Sequence, residues 1–505
     1  MADAPWTQDA CSLVDAFRAG ERSPAEELEA SLAAIASSDL NCFSHVDADR
    51  ARKICSEADV NLPFGGVPTG IKELFPYEGW PNTEASVVFK DRVADHTSRH
   101  LERLLRDGGI VPVGLTTSSE FGGLNVSVTK LNGVTHNPWR HGRTAGGSSG
   151  GSSSAVAGGL VSLATGGDGG GSLRIPAAYN GLFTLKGTFG RITRAPHAYS
   201  RPNTVVFGNV ARSVRDVARY FDVCAGVDPW DPTTLPCTND YEARLGSHDL
   251  SGLRVAVIPA IGGAILEAGM AEHIEAQADR LISWTGMKRV DATVEVPNMA
   301  AHWMIGNLAT LLADLGGRWP GCLGDLTDEV GIGLLLAQTL YNLKLAAVAE
   351  EMRVMTNEAM GRLFEQCDLV MAAVNPGPAF AADAVTSSSE KSFIDMAVTN
   401  RATRQAFRAL LGGLRGATSV APKLPNALVT MVSERFPDMM AMGALTMLSN
   451  IYGNPAISVP AGTIDGLPVG LQMLGRHHQD ALLLDVGLAV ERNQPWPLIA
   501  PGAAA

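Results

Sequence analysis

GGSSGGSSSAVAGGLVSLATGGDGGGSLRIP, residues 146–176, holds two glycine-rich segments separated by a short run of small apolar residues. The first is Gly146-Gly147-Ser148-Ser149-Gly150-Gly151-Ser152, and the second is Gly167-Asp168-Gly169-Gly170-Gly171-Ser172-Leu173-Arg174-Ile175-Pro176. Three readings compete for them. A flexible linker is rich in Gly and Ser, but it would not run directly into the apolar stretch 155–160 or keep Asp168, Arg174 and Pro176 in pattern. A phosphate cradle can be built from successive glycines, yet no GxxxxGK[ST] is present and neither segment has the spacing of a dinucleotide fingerprint. The third reading is an oxyanion hole. Acyl transfer needs backbone N–H groups aimed at a developing negative oxygen, and glycines leave that backbone unobstructed and free to take strained dihedrals. Ser172 closes the second run, so its hydroxyl stands beside those donors. Asp168 and Arg174 flank the run and can hold its shape by pairing or by bonding its backbone. An ordinary structural ion pair is compatible with the same two residues.

A serine nucleophile needs an activating base. The eleven histidines all lie outside both segments, and Gly170-Gly171-Ser172-Leu173-Arg174 has Arg where a GxSxG elbow needs Gly. A Ser-His-Asp triad has no local support, whereas a Ser–Lys arrangement is chemically sound. Lys72 ends the apolar run 66–71 and is followed by Leu74 and Phe75. A base and a solvated strand-end residue both fit that position.

Working outward, 66–72 and 109–115 read as short buried strands, with a helix around 100–106 between them, and this alternation predicts an α/β core. Residues 8–60 read as helical, and Ser23-Pro24-Ala25-Glu26-Glu27 is a helix start with a cap, a first-position proline and acids in the first turn. The stretch 155–161 suits a tightly packed helix. Further helices are expected over 270–284, 330–355 and 394–414, and strands over 253–258, 369–374, 456–459 and 469–474, with a turn at 465–468 and a final helix. The apolar segment 298–315 carries His302, Asn307 and Asp314 and reads as a buried helix. No internal repeat and no long linker divides the chain. The expected organisation is one domain over 1–505: an N-terminal helical segment (8–60), a glycine-rich core (61–225), a variable helical substrate-side region (250–435) and a C-terminal core segment (436–500).

Composition excludes several classes. With 46% apolar and 18% charged residues in 505, a sizeable core forms. A net charge of −12 argues against a nucleic-acid partner. The seven cysteines are scattered without a CxxC, which fits reduced thiols in a cytoplasmic protein rather than a disulfide framework or a zinc site. The N-terminus lacks the order of a signal peptide. No run reaches the ~18 apolar residues of a membrane span.

The block from Gly146 to Ile192 resembles the defining block of the amidase signature enzymes. Gly66-Val-Pro-Thr-Gly-Ile-Lys-Glu-Leu-Phe75, the segments 114–121, 133–139 and 211–214, and Asn454-Pro-Ala-Ile-Ser-Val-Pro-Ala-Gly462 with Leu467-Pro-Val-Gly-Leu-Gln472 look like family segments in family order. The likeness covers most of the chain and is weakest over 250–365. It implies an α/β/α domain around a large, twisted, mixed β-sheet covered by helices. It further implies a Ser–cis-Ser–Lys triad, in which Ser172 is nucleophile, Ser148 is relay behind a cis peptide and Lys72 is base. The oxyanion donors it implies are the N–H groups of Gly169, Gly170, Gly171 and Ser172, with Asp168, Arg174 and Ser149 supporting the loop. Two positions depart from the family: Gly167 and Gly169 stand where larger residues are usual, and Glu73 stands where Asp is more common. In a strand, Glu73 points away from Lys72.

The expected activity is hydrolysis of an amide, anilide or carbamate of a small apolar molecule through an acyl-enzyme. Family members of this kind include aryl acylamidases, nylon-oligomer hydrolases and urethane-cleaving amidases. No cofactor and no metal is implied; a homodimer follows family habit. Asn125 and Cys322 are candidate pocket residues, against a surface loop and a buried thiol. The Met-, Leu- and Ala-rich stretches 298–360 and 438–448 either line the pocket or pack the core. Two other functions compete with this one: the glutaminase subunit of a tRNA-dependent amidotransferase, and a non-catalytic scaffold with this fold. The complete set Lys72, Ser148 and Ser172 argues against the scaffold.

Overall fold

The computed structural model describes residues 4–196, 204–384 and 437–503. Strand Pro68–Lys72 is buried at every residue, and both its neighbours, Val111–Thr116 and Leu163–Asp168, run parallel to it. A short apolar run between glycine and proline gives this result when both faces of a sheet are covered. Phe43–Val46 and Val206–Val210 close the two edges as antiparallel strands, making five in all. A second mixed sheet has six strands, in the order Lys288–Arg289, Arg254–Val257, Leu369–Ala373, Leu467–Gly475, Ala456–Ile464 and Thr184–Lys186. The two sheets meet where Phe183 and Ala211 exchange backbone hydrogen bonds of 2.9 and 3.0 Å. The expected large mixed sheet is thus two mixed sheets joined at one bridge. Beyond that bridge, Thr184–Lys186 pairs with Ala456, Ile457 and Ser458 instead.

Helices cover both faces. Successive residues of one strand, Leu163 and Ala164, enter two different apolar clusters, as the two-residue period of a strand requires. The cluster around Leu163 takes in helices Ala10–Ala19, Val214–Cys224, Met270–Thr285 and Asp480–Asn493. The cluster around Ala164 takes in Pro24–Ser37, Ala48–Ser56 and Gly150–Ala157. Layering is therefore α/β/α. Gly150–Ala157 is buried throughout and built only of Gly, Ser, Ala and Val, which lets it lie close to the sheet. A third cluster, from Ala300–Leu315 and Asp328–Leu340 with Phe89 and Leu345, caps the molecule.

Local expectations and structure agree at the first helices. Ser23 accepts a hydrogen bond from the Glu26 N–H, and the Glu26 carboxylate accepts one from the Ser23 N–H, a reciprocal cap. They differ at three places. The helix expected over 155–161 starts earlier and ends sooner, spanning Gly150–Ala157, because Gly158 and Gly159 stop it. The region 8–60 contains the strand Phe43–Val46. The helix expected over 330–355 is two, Asp328–Leu340 and Leu343–Gln366, bent by 107°. The break is capped by Asn342, whose side-chain oxygen accepts from the N–H groups of Lys344 and Leu345. The helix expected over 394–414 lies outside the described residues. Among the described residues no single helix is long and apolar enough to cross a membrane; only that bent pair passes together. All seven cysteines are unpaired.

Candidate active site

Three short segments meet at the C-terminal ends of the adjacent parallel strands Pro68–Lys72 and Leu163–Asp168, where open α/β sheets place their ligand crevices. Lys72 is the last residue of its strand. Its N–H donates to Thr165 Oγ1 at 2.9 Å, which ties the two strands at this level. Its amine lies 2.7 Å from Ser148 Oγ and 2.9 Å from Ser149 Oγ. Both serines lead into helix Gly150–Ala157, and the Gly147–Ser148 peptide is cis. Ser172 ends the loop after Leu163–Asp168, one step before helix Arg174–Asn180, and its carbonyl accepts from the Ser149 N–H at 3.2 Å. Lys72, Ser148, Ser149 and Ser172 are all buried.

Glycine is required at two points here. A Cβ on Gly147 would stand 2.6 Å from the Val126 nitrogen, so the loop before Ser148 can press on the segment 125–126 only without a side chain. Gly171 has φ +129, and a Cβ on it would meet Thr446 Oγ1 at 2.2 Å.

Burial pulls the Lys72 amine down to about 7, although the charges of Asp168, Glu73 and Glu84 favour its protonated form. Glu73 is turned away from the serines: its carboxylate accepts from the Ser118 N–H at 2.6 Å and from the Asn132 amide. Burial raises Glu73 to about 7 despite those donors. Asp168 shows the opposite balance. Burial alone would raise it, but the Arg174 guanidinium beside it brings it down to about 2.

Arg174 is fully buried and holds the loop from four sides. It donates to both Asp168 carboxylate oxygens, at 2.9 and 3.0 Å, to Ser449 Oγ, to Asn450 Oδ1 and to Gln472 Oε1. Asp168 in turn accepts the Gly171 N–H at 2.7 Å and the Leu173 N–H at 3.3 Å. Of the four N–H groups expected to receive the oxyanion, one is engaged within the loop. The Gly171 N–H is committed to Asp168, while the N–H groups of Gly169, Gly170 and Ser172 have no acceptor among the described residues. The loop is also held from outside by Thr446, whose hydroxyl donates to the Gly170 carbonyl at 2.6 Å.

Trp303, like Thr446, Ser449 and Asn450, stands at this loop without being singled out by sequence reading. Its ring atoms lie 3.1 to 3.8 Å from where a Gly170 Cβ would be, so the indole is seated on the loop. It comes from helix Ala300–Leu315, read from the sequence only as a buried segment, and no local pattern marks its contact with residue 170. Asn125 is half-buried in the wall of the site. Its backbone meets Gly147, and its amide nitrogen is 3.9 Å from the Cβ position of Gly443. Cys322 is buried elsewhere, in the cap cluster with Phe89, Ile305 and Leu308. Gly167 faces Phe75 and Phe207, and a Cβ there would make only ordinary contacts. Among the described residues no three His, Cys, Asp or Glu side chains converge to hold a metal ion.

A buried, depressed lysine, two serines and a loop with N–H groups that have no acceptor among the described residues can together form and stabilise a tetrahedral oxyanion. The family model for amidase matches residues 26–411 and 416–484. An acylamidase of Rhodococcus erythropolis is 31% identical over 452 residues, covering 86% of this chain and 82% of its own. A glutamyl-tRNA(Gln) amidotransferase subunit of Methanococcoides burtonii is 28% identical over 510 residues, covering 95% of this chain and 96% of its own. Among solved structures, 6-aminohexanoate cyclic dimer hydrolase superposes with a TM-score of 0.82 at 25% identity, covering 99% of each chain.

Proposed function

The chain belongs to the amidase signature family, and on that premise we propose that it hydrolyses the C–N bond of a small apolar amide, anilide or carbamate through an acyl-enzyme on Ser172. The observation that carries the reading is the Lys72 amine, buried, lowered to about 7 and 2.7 Å from Ser148. Neutral Lys72 takes the Ser148 proton, Ser148 takes that of Ser172, and Ser172 Oγ attacks the carbonyl carbon. The N–H groups of Gly169, Gly170 and Ser172 receive the oxyanion. Its collapse breaks the C–N bond, and Ser148 returns the proton to the departing nitrogen. Water then adds to the acyl carbon, passing its proton back along the same chain, and frees Ser172.

The same machinery serves amides and carbamates, because both present a carbonyl with a nitrogen leaving group. The full-length likeness to an amidotransferase component favours a second reading, glutamine hydrolysis within a complex. Free glutamine brings an ammonium and a carboxylate that need charged partners when desolvated. The wall seated on Gly170 is an indole, which fits an apolar acyl group better.

The test is a panel of chromogenic anilides and carbamates, with glutamine alongside, run over about pH 6 to 10 on wild type and Ser172→Ala. Hydrolysis abolished in the variant supports the reading, and the preferred leaving group defines the substrate further. Equal activity in both proteins moves the nucleophile elsewhere. Hydrolysis of glutamine alone favours the amidotransferase reading, as does co-purification with a second chain.

A further inference from the structure

Resting on the amidase reading, we propose that Trp303, with Met299, Met447 and Ile451 behind it, forms the wall that receives the acyl half of the substrate. The wall selects extended or aromatic apolar acyl groups.

The indole is oriented by its surroundings. Its N–H points to Thr204 Oγ1 at 3.4 Å, while its benzene edge lies over Gly170. Met299, Met447 and Ile451 are buried and pack together, with Trp303 and Met352 partly buried against them. The indole therefore stands between an apolar bed and the loop that receives the oxyanion. Two polar groups of that loop are occupied: the Gly170 carbonyl by Thr446 and the Gly171 N–H by Asp168. Unclaimed N–H groups and an aromatic edge remain. A carbonyl oxygen seated on the first puts the group bonded to its carbon within reach of the second.

Which half of the substrate lies there follows from the proton. Ser148 must reach the departing nitrogen, so the leaving group lies on the side of Ser148. The neighbours of that serine include Lys72, Ser149 through the shared amine, Gly122, and the Gly147 backbone pressed against residues 125 and 126. None of these belongs to the Trp303 wall. The acyl half is left to the wall. Its chemistry is apolar and adaptable: thioethers fill irregular space and favour aromatic edges, and an indole offers a large flat contact. A charged acyl group would lose its water there without gaining a partner.

The experiment compares wild type, Trp303→Phe and Trp303→Ala on two series. One fixes p-nitroaniline as leaving group and varies the acyl chain from acetyl through octanoyl to benzoyl. The other fixes hexanoyl and varies the aniline. Trp303→Ala is expected to lower kcat/KM for octanoyl and benzoyl relative to acetyl by about tenfold or more, mostly through KM. Trp303→Phe should keep most of the preference. The order of preference among anilines should not change. A shift in the aniline series without one in the acyl series overturns the assignment, as does an equal loss on every substrate. Met447→Ala, on the same wall, carries the test if the Trp303→Ala protein does not fold. Failure of the parent reading looks different: the wild type then releases no nitroaniline in a Ser172-dependent way, and both proposals fall.

Discussion

Lys72 works as a base only when uncharged, and burial supplies that state near neutral pH. Protonation at Lys72 grows as pH falls through about 7, so kcat/KM should fall on the acid side of that value and stay level toward pH 9. A profile that peaks at pH 7 and declines by pH 9 would contradict a neutral-lysine base. Lys72→Met should lower kcat by about 10²–10⁴-fold, the usual contribution of a positioned acid or base, and should remove the acid limb from what activity remains. Ser172 closes a glycine run and Lys72 an apolar one, so both stand out locally, whereas Ser148, inside its own run, is marked only by the family resemblance. The commitment of the Gly171 N–H to Asp168 is not legible in the sequence, because it depends on how the loop turns. Nor is Trp303, which touches Gly170 only because the cap folds back over the loop.

At the scale of elements, buried strands are legible because apolar runs bounded by Gly and Pro leave little choice; Leu369–Ala373 and Arg254–Val257 fall within a residue of where they read. Strand Phe43–Val46 is hidden because four residues with half-exposed faces carry too weak an alternation. The corner at Tyr341 and Asn342 is hidden because the apolar periodicity continues across it; the cap residue is the one local sign. Asn342→Ala removes two accepted hydrogen bonds at that corner and should cost about 0.5–2 kcal/mol, read as a lower urea midpoint at unchanged slope.

Across the whole molecule, the α/β/α layering follows from alternating strand and helix signals, whereas the division of the sheet does not, since pairing partners distant in sequence decide it. Arg174 spans that division. It holds Asp168 on the last position of Leu163–Asp168 in one sheet, Gln472 on Leu467–Gly475 in the other, and Ser449 and Asn450 on helix Pro437–Tyr452. Arg174→Met strands the buried Asp168 charge and should cost about 3–5 kcal/mol, measured by denaturant titration. The loop that presents Ser172 is thus fastened to both sheets through Arg174 and to helix Pro437–Tyr452 through Thr446 and Asn450 as well, and it has no looser frame of its own in which to come apart early. Warmed slowly, the enzyme should keep full turnover until the temperature at which its ellipticity collapses, so that heat inactivation and unfolding trace one curve.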